Sequence, residues 1–261
     1  MSEDEIILTH ILQCRTIDLV LDKPVLTSAQ HQQFEDYKAR RQAGEPLQYI
    51  LGTCDFMGLE LKVNPSVLIP RPETEQLVDA ALKYFKGGRA LDLGTGSGNI
   101  AIALAKFVPH SHIVSVDVSA QALEIARANS KAHGVEDRIE FIQADMMVLL
   151  KRGHFKVSPF DLIISNPPYI PTNQMSQLPR DVQKEPALAL DGGEDGLNFY
   201  RIVIKYTPRL LSEHGCLMME FGDGQAQSVK KLIEDQRIFT QVEIIKDLAG
   251  RERIINGKIY H

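Results

Sequence analysis

An α/β fold is what this chain predicts: a mainly parallel sheet covered on both faces by helices, with a small helical unit ahead of it. Three observations carry that expectation. From Thr74 onward, short apolar runs of strand length alternate with helical stretches, the pattern of repeated βαβ units. A glycine turn, Asp92-Leu93-Gly94-Thr95-Gly96-Ser97-Gly98, joins one such strand to a helix. A second apolar strand stops at Asn166-Pro167-Pro168-Tyr169, because two successive prolines have no backbone N–H to donate. The 261 residues are enough for one full α/β domain with its own core and a smaller unit.

Taken in order, the first part reads as helical. Ile7, Leu8, Ile11 and Leu12 have helix spacing. Thr27 and Ser28 are N-cap candidates for a helix that Gly44 would close. Between Cys54 and Ile69 the pattern turns extended, interrupted by Gly58 and Asn64-Pro65, as in a short hairpin or linker. Ile69-Pro70-Arg71-Pro72 keeps the chain extended, since each proline disfavours helix in the residue before it. The domain boundary is therefore expected near residue 73, giving units 1–73 and 74–261.

A helix is expected over Thr74–Phe85 and a strand over Arg89–Leu93, then the glycine loop and a helix from Asn99 whose residues Ile100 to Ala105 are all apolar. His112–Val118 reads as a strand, and Ser119 caps a helix ending near Gly134. Further strands are expected at Arg138–Asp145 and Phe160–Ser165, and a long connection at Ile170–Gly196. After it come a helix from Leu197, a strand at Cys216–Phe221, a helix from Gly224, and extended pieces at Val242–Leu248 and Arg253–Ile259.

Bulk properties exclude several classes. The net charge of -5 is unfavourable for general phosphate binding. Cys14, Cys54 and Cys216 are widely spaced and odd in number, which argues against a disulfide framework or a thiolate metal site. No apolar run reaches membrane-spanning length. An N-terminus opening on Glu3, Asp4 and Glu5 resembles neither a secretory nor a transit signal, so a cytoplasmic protein without metal is expected.

The glycine loop lacks the Gly-Lys-Ser/Thr of a phosphate-binding P-loop, and the third glycine position of a dinucleotide fingerprint falls on Asn99. Its glycines still let a ligand approach the backbone at a helix N-terminus. The next strand ends in Asp117, 19 residues past Gly98, where a carboxylate either accepts from both ribose hydroxyls or caps the following helix. With the loop beside it, a nucleoside ligand is the better reading. Asp145 and Met146 end the third strand, placed to accept from an adenine amine and to cover its ring, or to act as a cap and a core residue. Asn166 and the Pro167 carbonyl lie side by side without charge, which suits a planar NH2 group held by both hydrogens. Tyr169 could stack on that group. Ribose, adenine, no phosphate site and an amide clamp together point to S-adenosylmethionine and a nitrogen acceptor.

Asp92 to Gly98 with Asn166 to Tyr169 resemble a class I S-adenosylmethionine-dependent methyltransferase of the amino-methylating type. Gly44 to Ile50, Leu68-Ile69-Pro70-Arg71-Pro72-Glu73-Thr74-Glu75, Glu185 to Leu188, Gly192 to Gly196 and Asp247 to Arg253 narrow this. They are similar to the HemK/PrmC family, the peptide chain release factor N(5)-glutamine methyltransferases. The resemblance implies a Rossmann-like seven-stranded sheet behind a small helical N-terminal domain. It implies S-adenosyl-L-methionine as methyl donor, with S-adenosyl-L-homocysteine as product. The acceptor would be the glutamine amide of the Gly-Gly-Gln motif in class I release factors, acting in translation termination. Carried over by position, Gly94, Thr95, Gly96, Ser97, Gly98 and Asp117 hold the cofactor. Met146 falls where the family often has an aromatic residue against the adenine, and a thioether can cover a ring face. Asn166 touches cofactor and substrate, and Pro167, Pro168 and Tyr169 the glutamine.

Two rivals stand beside this expectation. An adenine amino-methyltransferase would meet a chemically similar acceptor, but it must grip a phosphate backbone. Residues 1–73 hold 7 Lys/Arg against 11 Asp/Glu, the wrong sign for that task, so no sequence-specific nucleic acid binding is expected. Lys151, Arg152 and Lys156 form the one modest basic cluster near the site. A non-catalytic scaffold would have no need of the loop, acid and Asn-Pro-Pro-Tyr set together. The 170–196 connection is read either as a lid or docking loop or as an ordinary surface loop.

Overall fold

The structure is a computed structural model describing residues 2–21, 24–152 and 159–259. Four helices open the chain: α1 (Glu3–Leu12), α2 (Thr16–Leu21), α3 (Ser28–Gln42) and α4 (Leu47–Leu51). Two of them start on reciprocal capping boxes, Ser2 with Glu5 and Thr27 with Gln30, which satisfy N-terminal amides that have no helical partner. The hairpin follows as β1 (Thr53–Phe56) and β2 (Leu59–Lys62), paired antiparallel across Met57-Gly58.

The second unit runs α5 (Pro72–Tyr84), β3 (Gly88–Leu93), α6 (Asn99–Phe107), β4 (Ser111–Asp117), α7 (Ala120–Ala132), β5 (Ile139–Gln143), α8 (Met146–Arg152) and β6 (Phe160–Ser165). It ends in α9 (Asn198–Tyr206), β7 (Leu211–Glu220), α10 (Ala226–Glu234), β8 (Gln241–Lys246) and β9 (Glu252–Lys258). The seven strands lie in the order β5-β4-β3-β6-β7-β9-β8. All neighbouring pairs from β5 to β7 are parallel, and β9 runs antiparallel to both its neighbours.

One apolar cluster packs α5, α6 and the hairpin residues Phe56 and Leu61 on one face of the sheet. A second packs α9, α10 and Leu150 of α8 on the other. Burial on both faces is why the strand sequences read as near-continuous apolar runs. The order reverses between β3 and β6, and α/β folds bind ligands in the crevice beyond the strand ends at such a reversal.

Most boundaries agree with the sequence reading to within a few residues, and the differences have local causes. The third strand stops at Gln143 because Asp145 turns to cap α8, a helix the sequence reading did not foresee. Strand β7 begins at Leu211 rather than Cys216, since an irregularity in its pairing with β6 admits the polar Ser212-Glu213-His214. Lys151 and Arg152 end α8, whereas Lys156 lies outside the described residues. Among the described residues no helix is long and apolar enough to cross a membrane.

Candidate active site at the sheet reversal

Strands β3 and β6 are direct neighbours, with Asp92 opposite Ile164. Their carboxyl ends therefore deliver the glycine loop and Asn166-Pro167-Pro168-Tyr169 to the same crevice. Gly94, Gly96 and Gly98 all take left-handed φ, at 81°, 53° and 84°. Side chains rarely adopt that conformation, which explains the triple glycine. The Gly94 and Thr95 amides donate to the Val116 carbonyl at 2.8 and 3.1 Å, folding the loop against the end of β4. Gly94 and Gly96 line a cavity of about 210 Å³. Thr95, Ser97 and Gly98 are buried behind it and shape the loop without lining the cavity.

Asp117 ends β4 and lines the cavity. Its Oδ2 accepts the Gly96 N–H and its Oδ1 the Ser119 N–H, both at 2.9 Å. Ser119, not Asp117, caps α7 by accepting from Ala122. Burial raises the Asp117 pKa above the usual carboxylate value, opposed by these backbone donors. Asp145 and Met146 also reach the cavity. Asp145 caps as well, accepting the Met147 N–H at 2.7 Å. Met146 lies close under the loop: a Cβ on Gly94 would meet its methyl at 3.1 Å.

Asn166 is half-buried and lines two hollows. One is the cavity just described. The other, about 110 Å³, is walled by Leu68, Arg71, Tyr169, Ile170 and Val182 among others. Pro168 faces the first hollow and Tyr169 the second, whereas the Pro167 ring is buried away from both. The Asn166 Nδ2 donates to Thr74 Oγ1 at 2.9 Å, and the Thr74 hydroxyl donates to Glu220 Oε2 at 2.7 Å. Burial raises the Tyr169 hydroxyl above its ordinary pKa.

The 170–196 connection folds back on the site. Its three short 3-10 turns, Thr172–Gln177, Val182–Lys184 and Ala187–Ala189, leave Pro186, Leu188 and Ala189 along the first hollow. Buried Glu185 anchors it, accepting from the Ile69 amide at 3.0 Å and pairing with Arg71. Gly192 and Gly196 press against Pro168 and Tyr169. The quoted Leu68 to Glu75 and Glu185 to Gly196 motifs thus meet in space, more than a hundred residues apart in sequence.

The sequence reading missed several contributors. Glu220 left a signal, an acid closing the apolar run Leu217-Met218-Met219, as Asp117 closes its own strand. Ser66 and Val67 line the first hollow, held by the Tyr49 hydroxyl on the Val67 carbonyl at 2.6 Å, and Phe199 reaches it from α9. Ser66, Val67 and Phe199 carry no local pattern that marks them.

Comparison with known proteins identifies the family and the fold. Residues 85–252 match the family model for a methyltransferase domain, and residues 2–52 that for the PrmC N-terminal domain. The release factor glutamine methyltransferase of Thermodesulfovibrio yellowstonii is 39% identical over 261 residues, covering 98% of this chain and 91% of the relative. That of Geobacter sulfurreducens is 44% identical over 223 residues, covering 85% and 76%. Among solved structures, a methyltransferase from Pyrococcus furiosus superposes with a TM-score of 0.57 at 18% identity, covering 90% of this chain and 100% of that one, a likeness of fold alone. The chain belongs to the family of release factor glutamine methyltransferases.

Proposed function

We propose that this protein transfers a methyl group from S-adenosylmethionine to the side-chain amide nitrogen of the glutamine in the Gly-Gly-Gln motif of class I release factors. The observation that carries this reading is the position of Asn166. It lines both hollows, and its Nδ2 is committed to Thr74, so Oδ1 is the atom left to accept.

The first hollow suits the cofactor. Its walls are mostly apolar, with Val67, Met146, Pro168, Leu188 and Phe199, and its polar groups are few and fixed. Each Asp117 oxygen holds one backbone N–H and keeps a lone pair for a vicinal diol. Asp145 would accept from the adenine amine, and Met146 would cover the ring. Bound there, S-adenosylmethionine supplies a methyl group activated by its sulfonium.

The second hollow would take the glutamine. Its amide nitrogen is a weak nucleophile, because the lone pair is shared with the carbonyl. Asn166 Oδ1 and the Pro167 carbonyl would accept its two hydrogens, returning electron density to nitrogen. They would also hold it at near-attack distance, about 3–3.5 Å from the methyl. Tyr169 would flank the amide plane, while Pro168, which faces the first hollow, would border it from the side of the methyl donor.

Residues 1–73, with more acids than bases, would dock a protein rather than nucleic acid, and residues 74–261 would carry out transfer. The acceptor is a translation factor, so we place the reaction in the cytoplasm. Purified protein with labelled S-adenosylmethionine tests this, using a release factor, its glutamine-substituted variant and duplex DNA. Label in the release factor alone is expected, and label on DNA alone overturns the reading.

A further inference from the structure

We propose that Glu220, acting through the Thr74 hydroxyl, sets which end of the Asn166 amide faces the acceptor, and so is a positioning residue for methyl transfer. The inference rests on the function proposed above. The two ends of an asparagine amide have nearly the same shape, so packing alone does not choose between them. Chemistry does: an acceptor NH2 needs Oδ1, and a flipped amide would set NH2 against NH2.

The direction follows from donor counting. An ionised carboxylate only accepts, and a threonine hydroxyl has one hydrogen to give. With that hydrogen on Glu220 Oε2 at 2.7 Å, Thr74 Oγ1 has only lone pairs for Asn166. The amide must then present Nδ2 to Thr74, as observed at 2.9 Å, and Oδ1 is turned elsewhere. A protonated Glu220 could instead donate to Thr74. That would free the threonine hydrogen to meet Oδ1 and admit the flipped amide.

The relay is built by the sheet. Ser165, just before Asn166, is opposite Met219, just before Glu220, in the β6–β7 pairing. Thr74 sits in the first turn of α5, and Thr74 and Glu220 are each 2% exposed. The Thr74–Glu220 bond is therefore shielded from bulk solvent. Glu73 raises the Glu220 pKa, Arg253 and Arg71 lower it, and Tyr169 and Tyr200 face it as neutral phenols. Burial is the largest influence and pushes Glu220 up to about 7. The relay would thus switch within the neutral range, with the productive direction on the alkaline side.

Three variants of the full chain test this. Thr74→Val keeps the shape and removes the relay. It is expected to lower kcat about 100-fold with S-adenosylmethionine affinity unchanged, and Thr74→Ser to restore most of the loss. Wild-type kcat should rise through an acid limb near neutral pH, and Glu220→Gln should abolish that limb. The side-chain NH2 resonances of 15N-labelled Asn166, assigned by their loss in Asn166→Ala, give a readout independent of turnover. They should shift with the same midpoint in the wild type and stay fixed in Glu220→Gln. Wild-type kcat in Thr74→Val, or an Asn166 titration that persists in Glu220→Gln, overturns the proposal. If Thr74→Val fails to bind the cofactor, the Glu220→Gln resonances decide. Absence of label in any release factor would instead sink the functional reading, while the resonances would still judge the relay.

Discussion

The Asp117 carboxylate and the Gly96 amide are joined by a 2.9 Å hydrogen bond that ties the end of β4 to the crown of the glycine loop. Gly96 is left-handed and a Cβ there would meet nothing within 4 Å, so the loop depends on this tether rather than on packing at that point. One carboxylate therefore has two tasks, shaping the loop and presenting acceptors to the cavity.

Asp117→Ala is accordingly expected to weaken S-adenosylmethionine binding roughly 10- to 100-fold, the scale of one or two charged hydrogen bonds. Turnover at saturating cofactor should fall less. Calorimetric titration measures the affinity directly. A dissociation constant equal to that of the wild type would refute the ribose assignment.

Asn166→Ala should behave in the opposite way. In the clamp proposed above its amide holds the acceptor rather than the donor, so most turnover should be lost, by about 100-fold or more. Cofactor affinity should remain close to wild type. Single-turnover transfer and a binding titration on the same preparation separate the two effects, and near-normal transfer would end the clamp mechanism.

These roles were legible in the sequence to very different degrees. The glycine loop, Asp117 and Asn166 to Tyr169 are local patterns at strand ends, and the structure gathers them because β3, β4 and β6 are neighbours. Strand order is not written in any one segment, so the reversal beside Asn166 emerged only from the fold. Thr74 and Glu220 lie 146 residues apart, and only their shared hydrogen bond gives them meaning. Asp145 was both things at once, a helix cap and a cavity residue, where the sequence offered these as alternatives.

Asp92 provides a prediction about pH. It is fully buried at the end of β3, with the Ser115 hydroxyl 3.3 Å from Oδ2, and burial pushes it up to about 7. An unfolded aspartate titrates near 3.9. As pH rises between these values, the unfolded chain gives up this proton first. Stability from this group is therefore full below about pH 4 and is lost as pH climbs to about 7. Asp92→Asn removes that loss. Relative to wild type, the variant should gain on the order of 1–4 kcal/mol between acid and neutral pH. Urea unfolding across that range measures it, and a wild-type-to-variant difference that does not change with pH would contradict the assignment.

Gly192 tests how far the 170–196 connection controls the acceptor side. A Cβ there would lie 2.8 Å from the Pro168 carbonyl oxygen, the Tyr169 Cα and the Gly196 carbonyl oxygen. All three are backbone atoms, so no side chain can swing away to make room. The Gly192 amide also donates to the Ile170 carbonyl at 2.8 Å, and the Ile170 amide to Leu190 at 2.9 Å, so the two segments are laced together. Gly192→Ala must therefore push Pro168-Tyr169 and the connection apart. Overpacking of this kind costs about 1–3 kcal/mol, which a thermal melt will register. The displacement falls on Pro168 and Tyr169, the latter proposed to flank the glutamine, whereas the Asp117–Gly96 tether is held by β4 and the glycine loop. Turnover should drop with a raised KM for the release factor, while cofactor affinity changes little. Unchanged kinetics for the release factor would mean that the connection is a bystander to the acceptor site.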